Sequence, residues 1–252
     1  MVELNNISYS IKGKHLTNGV SANFEKGMIH LILGPNGAGK STLIKLISGE
    51  HHPNAGSIKI EEQNLQDIPL KTHAKFRAVL SQNLALSFPL SVKEVVMMGR
   101  YPHFEGKATT LDDEICVKAM QLFDIHEMQN RNYLSLSGGE KQRVQFARVF
   151  AQIWQAVPGK SRLLLLDEPL TFLDIYYQYD LMKKIRDFMV VNADLTIIGV
   201  VHDLNIAAKY ADTILLMDDA KLVKHGANQE VLTKENIYTV FKVEVENRFE
   251  VV

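Results

Sequence analysis

The sequence predicts an α/β chain: a mixed sheet with flanking helices, an antiparallel β subdomain, and an inserted helical subdomain. Three observations carry this expectation. Residues 28–33 form a short apolar run that stops at a glycine-rich turn and gives way to helical spacing over 41–48. Residues 163–166 and 196–201 are unbroken apolar runs, as suits central strands covered on both faces. From about 92 to 150 strand signals vanish and apolar residues recur at helical spacing.

Taken in order, residues 2–9 and 20–24 alternate roughly, as antiparallel strands do. Ser57, Lys59 and the two isoleucines beside them follow an Asn54-Ala55-Gly56 turn signal and predict another short strand. Residues 92–98 and 114–123 predict helices. A further helix is expected over 175–191, between the two apolar runs. Residues 214–217 and 222–223 predict a hairpin around Asp218, Asp219 and Ala220. The expected division is a single domain over 1–252. Its core and β subdomain take 1–87 and 151–252, and its helical subdomain takes 88–150.

The 252 residues suffice for a sizeable core, and a composition of 46% hydrophobic and 23% charged residues is that of a globular chain. A formal net charge of −1 gives no support to nucleic acid as a partner. The one cysteine, Cys116, can form no internal disulfide, fits a reducing compartment and reads as a filler rather than a nucleophile. No apolar run approaches the ~18 residues of a membrane span, and residues 1–6 lack the pattern of a secretory signal. The expectation is a chain that stays in the cytoplasm.

Gly34, Pro35, Asn36, Gly37, Ala38, Gly39, Lys40, Ser41 and Thr42 match the P-loop pattern in full, with a strand before and a helix after. Successive N–H groups of such a turn face phosphate oxygens, helped by the positive end of the helix. Lys40 is expected to reach the β- and γ-phosphates and Ser41 to ligate Mg²⁺. Asp167, closing an apolar strand, is the expected carboxylate partner of that cation. Glu168 is placed to orient or deprotonate an attacking water. A second glycine-rich turn, Leu136-Ser137-Gly138-Gly139-Glu140, has an obvious use if it serves a nucleotide bound by a second subunit.

Gly34 to Thr42, Gln82, Leu136 to Glu140, Leu165 to Pro169, Leu173-Asp174 and His202 fall in the order of an ABC-type ATP-binding subunit, and the chain resembles that family over nearly its whole length. The resemblance implies ATP and Mg²⁺ as cofactors, with Tyr9 stacking on adenine and Gln82 linking Mg²⁺ and water to the helical lobe. It implies that Ser137, Gly138, Gly139 and Glu140 serve the γ-phosphate held by the other subunit. It makes Asp174 the acid joining the two sites of a homodimer, and His202 a contact to γ-phosphate. Each of these residues has a plainer alternative: an ordinary strand aromatic for Tyr9, a loop residue for Gln82 and a structural histidine for His202. Leu170 and Phe172 are bulkier than the family pattern.

Residues 43–135 hold no long coiled-coil heptads, one cassette is present and no membrane spans accompany it. Residues 85–103 look like those of importer subunits for haem, iron–siderophores and cobalamin, and residues 148–161, which include Trp154, are similar to the haem-importing branch. The resemblance therefore implies an ATPase subunit peripheral to the cytoplasmic side of the inner membrane. Its partners would be a dimeric integral membrane permease and a periplasmic or surface substrate-binding protein. The alternative is a soluble, non-transport ATPase such as an iron–sulfur assembly factor.

Overall fold

The computed structural model describes residues 1–81, 86 and 89–244. In chain order the strands are β1 (Val2–Ile11), β2 (Lys14–Phe24), β3 (Ile29–Leu33), β4 (Ala55–Ile60), β5 (Gln63–Asn64), β6 (Arg77–Leu80), β7 (Arg162–Asp167), β8 (Leu195–Val200), β9 (Thr213–Asp218) and β10 (Lys221–Ala227). The helices are α1 (Lys40–Ile47), α2 (Leu70–His73), α3 (Val92–Met97), α4 (Thr110–Leu122), α5 (Gly138–Gln152), α6 (Ile175–Val190), α7 (Leu204–Tyr210), α8 (Asn228–Val231) and α9 (Lys234–Phe241). The chain folds as two compact units. One comprises Met1–Ile68, Leu165–Glu168 and the residues from Leu195 on; the other comprises Pro69–Leu164 and Pro169–Asp194. None of the helices among the described residues is long and apolar enough to cross a membrane.

The first unit holds two sheets. In the antiparallel one, of order β2-β1-β4-β5, Val2, Leu4 and Ile7 of β1 and Val20 and Phe24 of β2 point inward, which produces the alternation seen in the sequence. In the second, β3 runs parallel to β8 on one side and to β9 on the other, and β10 closes the edge antiparallel to β9. Every residue of β3 and of β8 is buried, as their continuous apolar runs require. Gly199 admits this packing, because a Cβ there would stand 3.3 Å from Leu166 Cβ and 3.4 Å from Leu31 Cδ2. The parallel strands bring the turn after β3 and the residues after β8 to one edge of the sheet.

The second unit is mostly helical, with β6 and the start of β7 among its helices, and a chain of aromatic contacts runs through it. Phe123 meets Phe146 and Phe150 at 5.6 and 4.9 Å, Phe150 meets Phe188 at 5.1 Å, and Trp154 meets Phe188 at 5.1 Å. Trp154 is thus a packing residue. Two arginines sit inside this unit because every direction of the guanidinium is answered. Arg100 donates to Asp112 at 3.0 Å, to the Ala151 carbonyl at 2.7 Å and to Gln155 at 2.8 Å. Arg162 donates to Asp194, to Asn192 and to the carbonyls of Ile153 and Trp154. Cys116 is buried here too, and burial pushes its thiol up to about 12, which makes it chemically quiet.

Candidate active site

The turn after β3 has no room for a side chain at two of its positions. A Cβ on Gly34 would lie 2.2 Å from the Met217 carbonyl oxygen, and one on Gly39 would lie 2.1 Å from that of Leu16. Gly39 is also left-handed, with φ of 97°, a region that side-chain-bearing residues avoid. Gly39 caps α1 without a side-chain hydrogen bond, so the first N–H groups of that helix are not answered by a capping side chain. A loop of this shape at a helix N-terminus is an anion seat. Around Gly37 a Cβ would meet nothing within 4 Å, so the mouth of the turn is open.

Lys40 is buried, and its ammonium donates to the carbonyls of Gly34 and Pro35, both at 2.8 Å. Burial pulls its pKa down, against the opposing charges of Glu168 and Asp167. Next to it, the Ser41 hydroxyl donates to Asp167 Oδ1 at 2.7 Å. Asp167 is buried, and burial holds its carboxyl above the usual range, opposed by the Ser41 hydrogen bond and reinforced by the charge of Glu168. A buried carboxylate bonded to one hydroxyl is a site that gains from a cation. Carboxylate and hydroxyl oxygens are the hard donors that Mg²⁺ takes. No group of three or more His, Cys, Asp or Glu among the described residues could hold a metal unaided, so the remaining ligands would be phosphate and water oxygens. The residues present fit a Mg²⁺–nucleotide pair.

Glu168 has φ of 50°, an uncommon conformation for a side-chain-bearing residue. The turn it makes sends its carboxylate to His202, with Oε1 2.9 Å from Nε2. His202 follows β8, and Asp203 fixes the chain there by accepting from the N–H groups of Asn205 and Ile206 at 2.7 and 3.1 Å. One sheet edge therefore gathers Lys40, Ser41, Asp167, Glu168 and His202 from three strands. Such an arrangement can bind an anionic phosphate chain, hold a hard cation and orient a water beside a carboxylate.

Tyr9 lies in the same unit with its ring stacked on His51. The second turn and Asp174 belong to the other unit. There Ser137 caps α5: its hydroxyl accepts from the Glu140 N–H at 3.3 Å while Glu140 accepts from the Ser137 N–H at 2.8 Å. These bonds hold the Glu140 carboxyl below its usual range, and Arg131 pairs with it at 3.1 Å. Asp174 caps α6 through the Tyr177 N–H at 3.1 Å. The bulky residues beside it divide: Leu170 turns inward, while Phe172, at φ of 74°, stays exposed against Gly138, where a Cβ would stand 3.5 Å from its own. Gln82 lies outside the described residues.

Two residues unmarked in the sequence hold the segment after Glu168. Gln142 donates to the Pro169 carbonyl at 2.6 Å, and Gln178 donates to that of Leu173 at 2.9 Å. Gln142 stands 27 positions from its partner, and no local pattern announces such a bond.

The sequence profile of the ABC transporter family matches residues 17–171. The chain is 40% identical over 245 residues to the hemin import ATP-binding protein HmuV of Escherichia coli O157:H7, covering 97% of this chain and 93% of that one. It is 43% identical over 241 residues to HmuV of Gloeobacter violaceus, covering 96% and 87%. Among solved structures, a chain from an inward-facing ABC transporter assigned to the metal-chelate type superposes with a TM-score of 0.81 at 26% identity, over 96% of this chain and 89% of that one. The glycine-rich turn, the acidic strand end and these likenesses agree: the chain belongs to the ABC transporter family.

Proposed function

We propose that this chain is the ATP-hydrolysing subunit of an importer for haem, working as a homodimer on a dimeric integral membrane permease fed by a substrate-binding protein. ATP hydrolysis goes with the family. The importer and haem assignments are supported by relatives of about 40% identity that carry the name of hemin import ATP-binding proteins. Tyr101, 59% exposed in the turn after α3 and set edge-on to Phe104, supports a docking face for the permease there.

The observation that carries the catalytic reading is the pair of short contacts at one sheet edge, Ser41 to Asp167 at 2.7 Å and Glu168 to His202 at 2.9 Å. In the proposed cycle the backbone N–H groups of the P-loop seat the phosphates, and Lys40 leaves its carbonyls to meet the β- and γ-oxygens. Ser41 and Asp167 would hold Mg²⁺, which supplies positive charge against the phosphate oxygens when bound. Glu168 orients the water and takes its proton, and His202 fixes the Glu168 carboxylate and faces the γ-phosphate. Tyr9 receives the adenine. Gln82 would complete the cation and water contacts. Ser137, Gly138, Gly139 and Glu140 close over the nucleotide of the partner copy, and Asp174 joins the two sites.

Glu168→Gln tests the assigned base. ATP affinity stays within about threefold while turnover falls by roughly 10²-fold or more; undiminished steady-state hydrolysis refutes the assignment. Reconstitution with the cognate permease tests the cargo: ATP turnover rises with a haem-loaded binding protein. A rise only with a siderophore- or cobalamin-loaded one overturns the haem reading, and no association with a permease favours a non-transport ATPase.

A further inference from the structure

The Tyr9 ring is backed by a second ring. His51 lies parallel to it, with centroids 5.2 Å apart and 16° between the planes, the geometry of an offset stack. Both residues are held by their backbones. His51 follows α1, its N–H donates to the Lys45 carbonyl at 3.1 Å, and its Nδ1 stands 3.1 Å from the Glu50 carbonyl. A carbonyl only accepts, so this contact places the proton on Nδ1 and fixes the ring's plane. The Glu50 N–H is bonded to the Ser48 hydroxyl at 3.3 Å. On the other side, Asn54 donates to the Ser8 carbonyl at 2.8 Å and accepts from the Ser10 N–H at 2.6 Å. The residues on each side of Tyr9 are therefore tied to the same loop that carries His51.

That loop is the continuation of the helix whose first residue is Lys40. A stack anchored there fixes the phenol at a set distance from the phosphate seat. We infer that His51 is a positioning residue for the nucleobase: it covers one face of Tyr9, holds the ring in one rotamer and leaves the opposite face for a purine. The inference rests on the reading of Tyr9 as the adenine partner. A phenol already held in place loses less rotamer freedom when a base stacks on it, so binding is tighter.

The test measures dissociation constants of ATP and of inorganic triphosphate with the full chain, for the native protein, His51→Ala, His51→Phe, Tyr9→Ala and the double alanine variant. The expectation for His51→Ala is an ATP affinity weakened about two- to tenfold, recovered in His51→Phe, with triphosphate affinity unmoved. His51→Ala should add nothing in the Tyr9→Ala background. Unchanged or tighter ATP binding in His51→Ala overturns the inference, since His51 would then be a bystander or an obstacle on the base's face. Equal losses for ATP and triphosphate overturn it too, because the effect would be on the fold. The adenine reading has its own readout: ATP binding indifferent to Tyr9→Ala removes it, and the His51 role with it.

Discussion

Asp167 is the residue on which the proposed cation site turns. It is buried, bonded to Ser41 at 2.7 Å, and held above the ordinary carboxyl range by that burial. An amide keeps the acceptor for Ser41 and relieves the buried charge. Asp167→Asn therefore leaves the melting temperature of the nucleotide-free chain unchanged or raises it, by up to about 1 kcal/mol of stability. The same variant loses the extra stabilisation that Mg²⁺ with ATP gives the native chain. Thermal melts with and without Mg²⁺–ATP check both halves. At this scale the sequence was legible where chemistry is local. The P-loop residues and Asp167-Glu168 are contiguous motifs at strand ends, and they stand where their spacing placed them. The carboxylate–imidazole contact of Glu168 and His202, and the His51 stack, join residues far apart in the chain and left no periodic trace.

The elements divide by length and regularity. β3, β7 and β8 were readable as continuous apolar runs, and the β9–β10 hairpin by its Asp-Asp-Ala turn, because burial on both faces or a tight turn writes itself into neighbouring residues. β6, α2, α7 and α8 span four to seven residues and escaped, since such short stretches establish no period. β2 begins at Lys14, earlier than its alternation suggested, because its first residues are exposed polar ones held by pairing with β1. In the helical unit the turn after α3, α4 and α5 are joined by Arg100, which no apolar pattern reveals. Its removal leaves the buried Asp112, still bonded to Thr109, without its counter-charge, and takes a donor from the Ala151 carbonyl. Arg100→Ala is expected to lower unfolding stability by about 3–5 kcal/mol, well beyond the ~1 kcal/mol of a typical substitution, as chemical denaturation would measure.

Over the whole molecule, the clearest collective property is its response to acid. His30, His73, His103 and His225 are all held below the ordinary histidine value, first of all by burial, and His73 is brought to about 4. The folded chain keeps these rings neutral while the unfolded chain protonates them near pH 6.5, so the unfolded state binds more protons as pH falls. Stability is full above about pH 6.5, declines below it, and for His73 goes on declining to about pH 4. Asp167 works in the opposite sense, and only in the carboxyl range. Melting temperatures taken from pH 7.5 down to 5 should fall by several degrees, and His73→Phe should flatten the lower part of the curve. The proposed nucleotide seat has a feature of its own. The Lys40 ammonium rests on the Gly34 and Pro35 carbonyls, two neutral acceptors at 2.8 Å each. On the proposed reading, a phosphate that engages this ammonium must supply oxygens in place of both carbonyls, so the hold on a guest would grow with the charged oxygens it brings to the turn.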